Sequence, residues 1–272
     1  MGVVSEHRAL IDGLDTFWRR AEPGSGAEAA LFLHGVPTNA DIWQPFLERC
    51  GGIALDLPGF GRSGKPSGFD YSVSGYADFL EAFVEHLGLE RLSLVGQGWG
   101  GAWGLALAQR LHARLERLIL FNAIPLLPGY GWHRAARIWR LPLLGEMAMG
   151  FTTRFVLARA LNGASAGPEP LPGDFIDSAH RHFDHGTQRA ILKLHRAAPP
   201  ATLARCGQDL DRIEVPSLIL SSGEDPYVPA EFGAAYAEAL GGEPRLELLE
   251  RAGHWAWLDR PELIETTAEF LA

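Results

Sequence analysis

Cysteine is nearly missing from this chain: only Cys50 and Cys206 occur in 272 residues. They lie far apart and lack the spacing of a metal site or a redox pair, so they read as two separate free thiols of a reducing compartment. Positive charge is scarce too. The 24 Lys and Arg stand against 33 Asp and Glu, a formal charge of −9, and no basic run interrupts that balance. This argues against nucleic acid and against an anionic membrane as partners. No apolar run approaches the roughly 20 residues that span a bilayer. Met1 to Glu6 show neither a basic n-region nor an apolar h-region, and Glu6 breaks the myristoylation pattern. No internal repeat is present. These absences lead us to expect a soluble, cytoplasmic protein with a small-molecule ligand, its oligomeric state left open.

What is there is enough apolar matter, 47% of residues, for one large core. Short runs rich in Val, Ile and Leu read as buried strands at Ala29–Leu33, Gly52–Leu57, Leu92–Val95, Leu118–Phe121, Ser217–Leu220 and Leu246–Leu249. Helical patterns alternate with them. The clearest is the stripe Tyr76, Phe79, Leu80, Phe83, Val84 and Leu87, whose spacing turns one helix face to a core. Strand alternating with helix predicts an α/β fold with a mostly parallel sheet of about eight strands, covered by helices on both faces. In such sheets, chemistry sits at the carboxyl ends of the strands. The alternation breaks after Asn122 and resumes near Ile213. Residues 124–205 therefore read as a helical lid inserted into a core formed by 1–123 and 206–272. Within the lid, the Pro-, Gly- and Ala-rich stretch from Gly163 to Gly173 reads as a mobile surface connection.

Leu94-Val95-Gly96-Gln97-Gly98-Trp99-Gly100-Gly101 runs from a strand through a glycine-rich turn into a helix. This is the context of a nucleophile elbow, whose central residue is held at positive φ. The Lys-Ser/Thr ending of a phosphate loop is absent. Phe32-Leu33-His34-Gly35-Val36-Pro37 follows a strand and should offer the Val36 N–H, with that of Trp99, to an oxyanion. Asp56-Leu57-Pro58-Gly59-Phe60-Gly61-Arg62-Ser63 makes a tight turn after the next strand. Asp225 and His254 each follow a late strand, in the order elbow, acid, histidine. A carboxylate so placed fixes the tautomer of an imidazole and stabilises its cation.

With these motifs the sequence resembles the α/β-hydrolase superfamily over nearly its whole length, and within it the epoxide hydrolase and haloalkane dehalogenase-like branch. His34-Gly35-Val36-Pro37, followed by Trp43, is similar to that branch's H-G-x-P loop. Gly96-Gln97-Gly98-Trp99-Gly100-Gly101 resembles its G-x-D-W-G-G elbow, and Asp225 and His254 match its acid and base. Gly98 stands where the branch has aspartate and most of the superfamily has serine. Glycine has no side chain, so covalent catalysis from this position is impossible. Val36 stands where many haloalkane dehalogenases carry a halide-holding asparagine. The resemblance thus implies a hydrolase of the epoxide hydrolase or esterase type for a small, mostly apolar substrate, without covalent hydrolysis in this form. Nothing in these motifs calls for a cofactor or a metal.

Plainer roles stand beside these. Asp225 could cap a helix starting near Pro229, and His254 could be a packed histidine beside Trp255 and Trp257. His34 reads as a loop-holding residue and Asp56 as the organiser of its turn. Trp43, Asn122, Trp132 and Trp255 are candidates for substrate contact, with packing the plainer role of Asn122 and Trp132; His133 shares the lid's aromatic patch. Gly98 is either a natural loss or an inactivating substitution. Two other functions fit the same residues: a non-hydrolytic enzyme using His254 and Asp225 as a general base in elimination, cyclisation or water addition, and a ligand-binding protein that keeps the pocket alone.

Overall fold

An Asp-Gly pair opens the sheet. In the computed structural model, which describes residues 3–22 and 29–272, Asp12 and Gly13 both take positive φ. They form the two-residue hairpin turn such a pair favours, joining β1 (Ser5–Ile11) to β2 (Leu14–Ala21), with Ile11 opposite Leu14. Neither strand was expected from apolar runs, because β1 alternates exposed polar residues with partly buried ones. Met1 and Gly2, the start of the segment read for targeting signals, lie outside the described residues.

Six more strands follow: β3 (Ala29–Leu33), β4 (Gly52–Leu55), β5 (Leu92–Gln97), β6 (Leu115–Phe121), β7 (Ser217–Ser222) and β8 (Arg245–Leu249). Their order is β1-β2-β4-β3-β5-β6-β7-β8. Pairing is antiparallel for β1 with β2 and β2 with β4, and parallel elsewhere. The expected mostly parallel eight-stranded sheet is met. β4 stops short of the expected Leu57: the Asp56 N–H still donates to Phe17 O at 3.0 Å, but its side chain organises a turn. Its Oδ1 accepts from the Ala40 N–H at 2.6 Å, and its Oδ2 from the Arg62 N–H at 2.7 Å.

The helices are α1 (Gln44–Cys50), α2 (Val73–His86), α3 (Trp99–Leu111), α4 (Arg134–Trp139), α5 (Leu144–Gly150), α6 (Arg154–Asn162), α7 (Gly173–Arg181), α8 (His185–Ala197), α9 (Pro200–Cys206), α10 (Glu231–Ala239), α11 (Ala256–Asp259) and α12 (Leu263–Leu271). Alternate residues of β3 feed two separate apolar layers. Leu31 and Leu33 join α2 and α3 on one face, and Ala30 and Phe32 join α1 and α12 on the other. The predicted stripe of α2 is buried from Tyr76 through Val84. Between β6 and β7 the chain forms the six helices α4 to α9 and no strand. Among the described residues no helix is long and apolar enough to cross a membrane.

The stretch from Gly163 to Gly173 lies at the surface, with residues 167–170 exposed. Its polar groups are tied down: Asp259 accepts from the Ser165 hydroxyl at 2.7 Å and from the Gly167 N–H at 3.0 Å, and Asn162 Oδ1 accepts from the Leu171 N–H at 2.6 Å. Composition alone does not reveal these partners, of which Asp259 lies more than 90 residues away.

Candidate active site

β5 delivers the chain to Gly98 at the carboxyl end of the sheet. Its φ of 55° and ψ of −118° form a conformation that residues with a Cβ adopt at a cost. The turn is locked on both sides: the Gly98 N–H donates to Phe121 O at 3.0 Å, and its carbonyl accepts from the Ile124 N–H at 2.9 Å. Gly100 must lack a side chain, since a Cβ there would lie 2.0 Å from Leu33 O. α3 starts at once with Trp99, so the Trp99 N–H is among those with no partner inside the helix.

His254 comes from the loop after β8. Its Nδ1–H donates to Asp225 Oδ2 at 2.7 Å, and both side chains are almost fully buried. The other Asp225 oxygen accepts from the Tyr227 and Val228 N–H groups at 2.7 and 3.2 Å. Asp225 thus organises its own turn and holds the imidazole at once, so the capping role and the histidine partnership are not alternatives. With Nδ1 committed, Nε2 carries the lone pair, and it faces the elbow. An ideal Cβ on Gly98 would stand 3.0 Å from that nitrogen and 3.3 Å from Cε1.

The backbone of His254 is held from three directions. Its N–H donates to Ala164 O at 2.7 Å. Its carbonyl accepts from Asn122 Nδ2 at 3.2 Å and from Gln97 Nε2 at 3.3 Å. Gly253 lets the Ala164 strap approach, since a Cβ there would lie 2.2 Å from Ala164 O. Gln97 also accepts the Gly35 N–H at 3.1 Å on its Oε1, so one side chain ties the histidine loop to the Val36 loop. Sequence reading passed over Gln97, although it sits next to the elbow tip, at the last position of a buried strand.

An apolar cavity of about 300 Å³ adjoins these groups, with Val36, Trp99, Trp132, His133, His254 and Trp255 among its lining residues. Most of its remaining wall comes from α4, α5, α6 and α8. Trp132 stacks on Trp99 at 5.4 Å, and Trp255 packs edge-on to His254 at 5.1 Å. Two substrate-contact candidates lie elsewhere. Trp43 is wholly buried in the opposite apolar layer, stacked on Trp257 at 5.0 Å. Asn122 sits beneath the site, its amide donating to Ser222, Gly253 and His254. It positions the histidine loop instead of lining the cavity.

The remaining polar groups are tuned by burial. His34 donates from Nδ1 to Gly35 O at 2.7 Å and accepts the Leu57 N–H on Nε2 at 3.0 Å, so the ring is neutral and holds the loop. Burial lowers its pKa further. Burial, aided by His254, takes His133 down to about 4, and burial takes His195 down to about 3. Tyr227, packed edge-on against His254, is raised to about 12 by burial and then by the Asp225 charge. Neither Tyr227 nor His195 was singled out from the sequence. Among the described residues, no group of three or more His, Cys, Asp or Glu side chains is placed to hold a metal ion.

Residues 30–261 match the family described as the alpha/beta hydrolase fold. A haloalkane dehalogenase of Mycolicibacterium paratuberculosis is 30% identical over 255 residues, 86% of this chain and 80% of that protein. Matches to some other haloalkane dehalogenases span only 34 to 39% of their length. The crystal structure of the haloalkane dehalogenase DbeA from Bradyrhizobium elkani superposes with a TM-score of 0.83 at 26% identity, covering 99% of this chain and 98% of that one. The structure of the epoxide hydrolase CorEH gives a TM-score of 0.84 at 20% identity over 98% of each chain, a likeness of fold alone.

Proposed function

The chain belongs to the α/β-hydrolase fold family and is related to the haloalkane dehalogenases within it, and from that premise we propose a hydrolase that works without a covalent intermediate. His254, steered by Asp225, is the general base, water is the nucleophile, and the substrate is a small, mostly apolar ester. The observation that carries this reading is the His254 Nε2 lone pair aimed at the elbow, 3.0 Å from where a Gly98 Cβ would stand. With no side chain on Gly98, a water oxygen in van der Waals contact with its Cα can approach Nε2 to hydrogen-bond distance. A water molecule occupying the space that a nucleophilic side chain would fill is therefore in the grip of the base.

The steps balance without a protein nucleophile. His254 Nε2 takes a proton from water as the water oxygen bonds to the carbonyl carbon. The negative charge gathers on the carbonyl oxygen, toward the Val36 and Trp99 N–H groups. On collapse the bond to the leaving oxygen breaks, and the proton on His254 passes to that oxygen, giving acid and alcohol. Helices α4 to α9, which span residues 134–206, act as the cap that keeps bulk water from the cavity. Alkyl halides suit this arrangement poorly, because Val36 offers no side-chain donor to a departing halide.

Hydrolysis of p-nitrophenyl butyrate, with styrene oxide as a comparison substrate, tests the reading. We expect steady ester turnover with no initial burst and no acylated protein by intact mass. His254→Ala should lower the rate by about a hundredfold or more. Equal rates for the two forms, or an acyl adduct on the protein, would overturn it.

A further inference from the structure

The outer surface of the cap has a composition unlike the rest of the chain. Eleven large apolar side chains are exposed among the described residues, and eight of them fall between Ile138 and Val156. Leu143, Phe151 and Phe155 are more than 70% exposed. A cluster of this kind on a single segment marks an interaction surface more often than chance exposure. It also continues into the site: Ile138 and Val156 line the cavity while remaining nearly half exposed.

Charge here departs from the whole. From Tyr130 to Gly163 there are five arginines and one acid, Glu146, in a chain whose formal charge is −9. Arg154 pairs with Asp177, and Glu146 is taken by Arg196. Arg134, Arg137 and Arg159 lie within 4.0 Å of no carboxylate among the described residues; Glu169 shares a groove with Arg159 without pairing to it. Arg137 donates from Nε to Trp132 O at 2.7 Å, and large apolar side chains beside arginines that pair with no carboxylate are what a surface helix needs to settle into an anionic bilayer interface. A second copy of the chain is the poorer fit, because a two-fold contact through this face would set the arginines against themselves.

We infer that α4 to α6 form a docking face for an anionic lipid surface, from which apolar substrate enters the cavity between Ile138 and Val156. This contact is peripheral and local, so the overall negative charge, which argues against an anionic membrane, does not decide it. The inference stands whatever reaction the site performs, since its readout is binding.

Co-sedimentation with vesicles tests it. Vesicles of phosphatidylcholine with one part in three phosphatidylglycerol should pellet at least about tenfold more protein than phosphatidylcholine alone. High salt should erase the difference. Phe151→Asp with Phe155→Asp should abolish pelleting while leaving melting temperature and turnover of a water-soluble ester unchanged. Arg134→Gln with Arg137→Gln should lose the preference for anionic vesicles even if the first variant folds poorly. Absence of pelleting, pelleting indifferent to either variant, or a solution dimer broken by the Phe variant without vesicle binding would each overturn the inference.

Discussion

His254 Nε2 stands 3.0 Å from the point where a side chain on Gly98 would begin. In covalent hydrolysis a side chain starting at that point carries the nucleophile. On the proposed reading, water reaches this base beside the bare Gly98 backbone, while the other ring nitrogen is fixed by Asp225 at 2.7 Å. The proposed reading takes the elbow, the base and the acid as a working set with water in the place of a side chain.

Adding a side chain at Gly98 should cost stability. A φ of 55° strains any residue with a Cβ by about 1–2 kcal/mol, and His254 would have to yield by a few tenths of an ångström. Gly98→Ser should lower the melting temperature by roughly 2–6 °C in a domain of this size. It should also accumulate an acyl adduct with p-nitrophenyl butyrate, visible by intact mass. An unchanged melting temperature would show that the elbow is unstrained at this position.

Asp225→Asn keeps the size of the side chain and an acceptor for the Tyr227 N–H, but removes the charge that orients and supports the imidazole. Ester turnover should fall by at least about a hundredfold, with KM little altered. A loss below fivefold would mean that the carboxylate serves its turn and not the histidine.

Asn122 and Gln97 should act through His254 without touching substrate. Asn122→Asp removes the donor that reaches the Gly253 and His254 carbonyls at 3.0 and 3.2 Å. We expect kcat to fall about tenfold, KM to stay within about twofold, and the melting temperature to drop because a buried acceptor is left unpaired. A change confined to KM would return Asn122 to the cavity wall. Gln97→Leu should behave likewise, since it releases both the Gly35 and the His254 loops.

Acid should destabilise the protein through its buried histidines. Burial takes His195 down to about 3, its Nδ1–H donating to Ile191 O at 2.7 Å, with His133 and Arg140 adding to the effect. The unfolded chain takes up protons near the ordinary value of 6.5 while the folded ring does not. Stability is therefore full above that pH and lost as the pH falls toward the folded values. The melting temperature should drop by roughly 5 °C between pH 6.5 and pH 4.5. His195→Asn, which can keep a donor for Ile191 O, should flatten that slope, with His133 and His34 supplying the remainder. A slope unaltered by the substitution would show that His195 titrates normally.

Much of this was legible in the sequence, for identifiable reasons. Strands β3 to β7 are largely buried, so their apolar runs stand out, and the edge strand β8 keeps three leucines although only Leu249 is buried. β1 and β2 were not found as apolar runs; the Asp12-Gly13 turn was the available signal. Gly98, Asp225 and His254 were found by their order at strand ends, which follows from where a parallel sheet places its chemistry. The residues that hold them were not. Gln97, Ala164 and Asn122 act through backbone contacts made across long sequence separations, which no local pattern encodes. Trp43 looked like a site residue because it lies near the His34-Gly35-Val36-Pro37 loop, yet its ring fills the opposite face of the sheet.

The most direct test of the central claim is a single methyl group. Gly98→Ala adds a Cβ 3.0 Å from His254 Nε2 and supplies no nucleophile, so it fills the water's space, with His254 yielding by a few tenths of an ångström. Steady-state turnover of p-nitrophenyl butyrate by this variant should be at least about tenfold below that of the glycine form, beyond what its strain of about 1–2 kcal/mol in folding explains, provided the assay is run well below its melting temperature. Turnover equal to that of the glycine form would contradict the account, because water held between Gly98 and His254 could not then be the attacking group.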